Sequence, residues 1–240
     1  MTDRYGPRGV IAFLVPQQNA NMQPEYEGLR PPGVSNQIYR FELESQEAVE
    51  EAVLRALPAC HGCWPDLIVG GNSLEMRSWS LERQIRYREE LREGAGDVPV
   101  INATDATEAA LRSVGAQRIG MMVPLFESTA QSASAYYKAL GFDVPYLTWL
   151  GIGHPKDSIN VPIETIEAAF EEIDHDDVDT LLHVGGSLGV ADMVERLEAK
   201  FNKPVISGIP ATYWFALRTL GIDDPIPGFG QLLLKPEIGA

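Results

Sequence analysis

Eight short apolar runs, at 9–15, 35–42, 66–70, 98–102, 117–123, 142–149, 179–184 and 203–207, are spaced along the chain. Between them, apolar residues recur three to four positions apart at 45–57, 78–93, 105–114, 127–140, 162–173, 189–200 and 210–220. Short aliphatic runs read as buried strands, and the longer spacing reads as helices laid over them. Their alternation predicts an α/β protein built on parallel sheets.

The pattern also repeats. Arg8-Gly-Val-Ile-Ala-Phe-Leu-Val-Pro16 parallels Gln117-Arg-Ile-Gly-Met-Met-Val-Pro124, each an apolar strand closed by proline. Asp66-Leu-Ile-Val-Gly-Gly-Asn-Ser-Leu74 parallels Asp179-Thr-Leu-Leu-His-Val-Gly-Gly-Ser-Leu188, and Val98-Pro-Val-Ile-Asn102 parallels Lys203-Pro-Val-Ile-Ser207. Two pseudo-symmetric, Rossmann-like units of about four parallel strands each are therefore expected. The boundaries place 1–115 plus 208–240 in the first half and 116–207 in the second. Ligands of open parallel sheets bind outside the carboxyl ends of the strands, so two such halves should face a shared cleft.

At 240 residues and 45% hydrophobic, the chain can bury a real core, and no apolar run approaches the roughly 20 residues of a membrane helix. The N-terminus runs into strand-like 9–15 without a signal-peptide pattern, which makes a cytoplasmic protein the expectation. A net charge of -15 speaks against nucleic acid or an anionic membrane as partner, since both call for a basic surface. Backbone amides can still make a small pocket locally positive. Nothing in the sequence opposes a homo-oligomer.

The two cysteines stand as Cys60-His-Gly-Cys63. The remaining histidines are not spaced to complete a zinc site, and the pair does not open a helix after a strand as a redox motif does, so a reduced loop is the expectation and no metal is called. Asn102-Ala-Thr104 matches a glycosylation sequon but lacks a secretion signal to give it meaning. The acidic run over 167–179 reads as a solvated helix end, and Tyr213 and Trp214 as core.

The chemistry is concentrated in the repeated turns. Glycine lets the backbone approach a ligand and aim N–H groups at it, while Asn72 and Ser73 add side-chain donors suited to a carboxylate. Taken with their order and spacing, these motifs resemble the aspartate/glutamate racemase superfamily, in its arylmalonate decarboxylase and maleate cis-trans isomerase branch, from Val10 to about Leu234. Val15-Pro-Gln-Gln-Asn-Ala-Asn-Met-Gln-Pro-Glu25 is similar to the isomerases' first loop, and Gly71-Asn-Ser-Leu74 to the decarboxylase's dioxyanion pocket. Leu182-His-Val-Gly-Gly-Ser-Leu188 and Pro225-Ile-Pro-Gly-Phe-Gly-Gln231 resemble the later family stretches.

The resemblance implies cofactor-free chemistry on a small carboxylic acid. It places Gln18, Asn19, Gly71, Asn72, Ser73, Leu125, Val184, Gly185 and Gly186 around the substrate. It also exposes departures. The family's two cysteine positions fall on Gly71 and Val184, and its pocket tyrosine on Leu125 or Phe126. A two-thiol racemase mechanism is thereby excluded, and the proton donor of the decarboxylases is missing. His183, one residue before Val184, and His154, in Gly151-Ile-Gly-His-Pro-Lys-Asp157, are the candidate catalytic replacements. Strand alternation argues against His183 reaching the pocket beside Val184. Glu75 is a third candidate base, although a surface acid near a helix start is its ordinary role. The leading expectation is an arylmalonate-type decarboxylase. A maleate-type isomerase, another lyase or hydrolase, or a non-catalytic small-acid binder stay open.

Overall fold

The computed structural model describes residues 3–43, 45, 48–70 and 73–238. Gly71 and Asn72, and positions 46 and 47 of the expected helix 45–57, lie outside the described residues. Among the described residues eight strands form in the expected places: β1 (Gly9–Pro16), β2 (Val34–Phe41), β3 (Leu67–Val69), β4 (Val100–Ile101), β5 (Arg118–Val123), β6 (Asp143–Trp149), β7 (Thr180–His183) and β8 (Val205–Ser207). They make two four-stranded sheets ordered β2-β1-β3-β4 and β6-β5-β7-β8, with every pairing parallel. The same order twice is the internal repeat made visible.

The aspartates that open the two repeated segments do one job twice. Asp66 accepts from the Val10 amide at 2.9 Å, and Asp179 accepts from the amides of Gln117 and Arg118 at 3.0 and 2.8 Å. Each carboxylate satisfies backbone donors where the central strand of its sheet begins, which sets strand register at the end remote from the cleft.

The helices are α1 (Met22–Leu29), α2 (Val49–Cys60), α3 (Leu81–Ala95), α4 (Ala103–Ser113), α5 (Glu127–Ala139), α6 (Ile163–Ile173), α7 (Val194–Phe201) and α8 (Gly208–Thr219). Among the described residues none is long and apolar enough to cross a membrane. The pattern misses α1, which is only eight residues long and carries Pro24 in its first turn. Helices α4 and α8 follow equivalent strands and pack on each other. The largest apolar cluster runs through both halves, from Ile11, Phe13 and Val69 to Met121, Leu182, Tyr213 and Trp214. Separate outer clusters sit under α2 and α3 and under α6 and α7.

A polar seam ties the first loop to the second repeated turn. Asn19 Nδ2 donates to the Gly186 carbonyl at 2.6 Å, and Asn21 Nδ2 to the Ser187 carbonyl at 2.7 Å. Glu25 Oε1 accepts from the amides of Val190 and Ala191 at 2.7 and 2.6 Å. The turn itself needs glycine twice. Gly185 has φ +108°, and a Cβ on Gly186 would stand 2.8 Å from Ile209 Cδ1.

Burial pushes the Glu25 carboxyl up to about 7, against the lowering effect of its two amide donors. The folded state therefore holds this proton more tightly than the unfolded chain does. Its contribution is full below the unfolded value near 4.5 and fades as pH rises through about 7. Denaturant titrations should show wild type losing more stability between pH 5 and pH 8 than Glu25→Gln, by on the order of 1 kcal/mol or more. Parallel pH profiles for the two proteins would contradict this assignment.

Candidate active site

A cavity of about 270 Å³ opens at the carboxyl ends of the strands, where the two halves meet. Its walls come from the segments after β1 and β2, the turns after β3, β5 and β7, the loop after β6, and the starts of α4 and α8. Of the residues expected around a substrate, Gln18, Asn19, Ser73, Leu125, His154 and Gly186 line it. Val184 and His183 are fully buried and are not wall residues, and Gly185 bends the turn immediately behind the wall.

The two histidines differ sharply. His183 has no exposed surface, and its Nδ1 lies 3.0 Å from Ser207 Oγ. Burial pushes its pKa down to about 3, so the ring is neutral near pH 7. The expectation that it supplies a proton is corrected by this placement: strand alternation turns it into the interior, away from the cavity. His154 is exposed at the cavity rim, and its Nδ1 accepts from the Lys156 amide at 3.2 Å. That bond puts the proton of the neutral ring on Nε2, leaving an N–H edge for a ligand.

Asn19 lines the cavity, but its carboxamide is engaged with protein. Besides the bond to Gly186, its Oδ1 accepts from the amides of Asn21 and Met22 at 3.0 and 2.9 Å, which fixes the start of α1. Gln18 is oriented by its Nε2, which donates to the Leu43 carbonyl at 2.9 Å.

Glu75 is not a surface acid. It is 1% exposed, and its Oε2 accepts from Thr104 Oγ1 at 2.6 Å, while Thr104 in turn accepts from the Leu74 amide at 3.1 Å. Tyr137 donates to its other oxygen at 3.4 Å. Burial raises the Glu75 pKa, and hydrogen bonding to Thr104 opposes that rise. The side chain anchors the turn behind Ser73 to α4 and α5 without reaching the cavity wall.

The sequence reading missed Arg77, which is half-buried in the same wall. Its signal was local: a cation three residues beyond the first glycine turn's Leu74. Among the described residues that line the cavity, none is aspartate, glutamate or cysteine. The N-termini of α4 and α8, at Ala103 and Gly208, add the positive ends of two helix dipoles. Asn102 caps α4 by accepting from the Asp105 amide, whereas Ser207 makes no side-chain cap on α8, where the equivalent position is Pro210 and has no N–H, and its hydroxyl pairs with His183 instead. The N–H groups in the first turn of α8 are those of Gly208 and Ile209, both of which line the cavity, and such uncapped groups suit an anion.

Cys60 and Cys63 do not join this site. Cys60 is buried in the outer core of the first half, and burial pushes its thiol up to about 12. No cluster of three metal-ligating side chains is present among the described residues.

Two parallel half-sheets closing on one cavity define a two-half α/β fold, shared with solved maleate isomerase and arylmalonate decarboxylase structures. More narrowly, residues 68–233 match the family described as Arylmalonate decarboxylase, and the chain belongs to it. The maleate isomerase of Nocardia farcinica (strain IFM 10152) is 26% identical over 242 residues, covering 93% of this chain and 94% of that one. A mutant Nocardia farcinica maleate cis-trans isomerase, solved with a covalently bound succinylcysteine intermediate, superposes with a TM-score of 0.82 at 23% identity, covering 93% and 97% of the two chains. Unliganded arylmalonate decarboxylase superposes with a TM-score of 0.77 at 22% identity, covering 93% and 98%.

In a histidine-resolved NMR titration, the His183 ring should stay neutral and its shifts flat from pH 8 down to pH 5. A midpoint near the ordinary value of about 6.5 would contradict its burial as a neutral partner of Ser207.

Proposed function

We propose that this protein is a cofactor-free enzyme acting on a small dicarboxylic acid, most simply an arylmalonate-type decarboxylase that uses His154 where its relatives use a thiol. The carrying observation is the cavity's charge: in a protein of net charge -15, the lining holds Arg77, His154 and two helix N-termini, with no carboxylate among its described residues. The retained carboxylate would sit against Ser73, the amides near Gly185 and Gly186 and the start of α8, with Asn72 as a further donor. The departing carboxylate would face the apolar wall of Leu125, Met76 and Ile209.

The bond between the α-carbon and the departing carboxylate breaks, and its electron pair moves into the retained group to form an enediolate. Pre-aimed donors stabilise the charge that develops there, which is the largest contribution such a site can make. His154, protonated from solvent at Nδ1 with release of the Lys156 amide, gives its Nε2 proton to the α-carbon. The ring is left neutral and resets by exchange with water. Arg77 draws in the dianion and acts mainly on binding.

A maleate-type isomerisation is the second reading, favoured by the Nocardia farcinica relative and by a wall cation able to hold a carboxylate that is never lost. The covalent succinylcysteine of that neighbour needs a thiol, and no cysteine is among the described lining residues here.

Purified protein incubated in D2O with 2-substituted malonates and with maleate separates these readings. Decarboxylation predicts carbon dioxide release and one deuteron at the product's α-carbon. His154→Ala should lower kcat by about 10²- to 10⁴-fold. Arg77→Met should raise KM by roughly tenfold or more while changing kcat less, as loss of a charge-assisted contact does. Fumarate from maleate without carbon dioxide release would favour the second reading, and unchanged turnover in His154→Ala would remove His154 from the mechanism.

A further inference from the structure

A second cavity, of about 450 Å³, lies on the other side of the polar seam, and its chemistry is the reverse of the first. The seam is the partition between them. Asn19, Met22 and Ser187 line the first cavity, while Asn21, Glu25 and Leu188 line the second. The short 3-10 turn Pro155–Asn160 divides in the same way, with Pro155 facing the first and Ser158 the second. Among the described residues that line this second cavity there is no lysine, arginine or histidine, and the charged side chains are Glu25 and Asp192.

Two polar atoms in this wall have no hydrogen-bond partner among the described residues. Glu25 places Oε1 on the amides of Val190 and Ala191, but its Oε2 is buried without a hydrogen bond. Ser158 is 3% exposed, and its Oγ is likewise buried and unpartnered. Leaving such groups unsatisfied is costly, roughly 1–3 kcal/mol each, so their presence in one cavity points to a group that completes them. Around them the wall is apolar, with Val161, Ile166, Leu188 and Phe229, and Ile159 and Ile163 stand half-exposed at the rim. The volume falls in the range of small-molecule sites.

We propose that this second cavity binds a small alkylamine, its ammonium group held by Glu25, Asp192 and Ser158 Oγ and its alkyl chain taken up by the apolar wall. An ammonium donates three hydrogen bonds and brings the positive charge that this wall lacks. A carboxylic acid, the ligand class of the first cavity, is repelled here by the same two side chains. The elevated proton affinity of Glu25 agrees with a carboxyl buried without a cation beside it. Because Glu25 also holds the amides of the turn that follows Gly186, an occupant would steady the seam from behind. The inference does not depend on the reaction proposed for the first cavity.

Isothermal titration of the full-length protein at pH 8 with n-hexylammonium, hexan-1-ol and hexanoate tests it. Saturable one-site binding is expected for n-hexylammonium and not for hexanoate, with hexan-1-ol at least tenfold weaker. Glu25→Gln keeps a carbonyl acceptor for Val190 and Ala191 yet should weaken n-hexylammonium binding at least tenfold. Asp192→Asn, on an exposed residue outside the seam, should weaken it severalfold in a protein with an unchanged circular dichroism spectrum. Absence of saturable binding, equal affinity for hexan-1-ol, or affinity unchanged in Asp192→Asn or in a folded Glu25→Gln would overturn the assignment.

Discussion

The constraint on which the site depends is the closure of two strand-end turns against each other, and the Asn19 carboxamide is its centre. One side chain caps the start of α1 with its oxygen and holds the Gly186 carbonyl of the opposite half with its nitrogen. Asn21 and Glu25 extend the tie to Ser187, Val190 and Ala191. Parallel sheets bring all their strand ends to one edge, so two copies facing each other create a cleft by topology alone. Holding that cleft at the dimensions of a small acid is a matter of specific side chains, and here those side chains are polar, short and almost fully hydrogen-bonded.

The seam also organises charge. On one side, helix N-termini, Arg77 and the N–H edge of His154 converge with no carboxylate in the described wall. On the other, Glu25 and Asp192 stand among apolar residues. A strongly acidic protein can thus present an attractive pocket to an anion because the field at a site is set by the nearest groups and not by the net charge. His183 belongs to this arrangement at one remove. It pairs with the Ser207 hydroxyl at the start of α8, where Pro210 leaves that hydroxyl no N–H to cap.

Much of the fold was legible in the sequence because strand periodicity and internal repetition are local signals. All eight strands were anticipated, as was the division of the sheets into two sets of four. The short helix α1 escaped because eight residues with a proline in the first turn give little periodic signal. The site was legible only in part. Ser73, Gly186 and Leu125, singled out by motif spacing, line the cavity. Asn19 was found, but its commitment to Gly186 depends on a contact 167 positions away. Glu75 looked like a surface acid because the groups that bury it, Thr104 and Tyr137, arrive 29 and 62 residues later. Arg77 was overlooked although it stands three residues beyond Leu74 of the first glycine turn, because that position alone does not distinguish a wall cation from a surface one. Such long-range closures carry no local pattern, and they decide which polar residues are free to meet a ligand.

What remains to be tested is a single anion cavity built jointly by both halves, around Ser73, Gly186 and the start of α8. A crystal structure of the protein with bound malonate tests it most directly. A carboxylate is expected in the cavity with oxygens at hydrogen-bonding distance, about 2.7–3.2 Å, from Ser73 Oγ and from backbone N–H groups of the 185–187 turn or the start of α8. A malonate held by one half alone, or seated outside this cavity while the cavity stays free of it, would contradict the account.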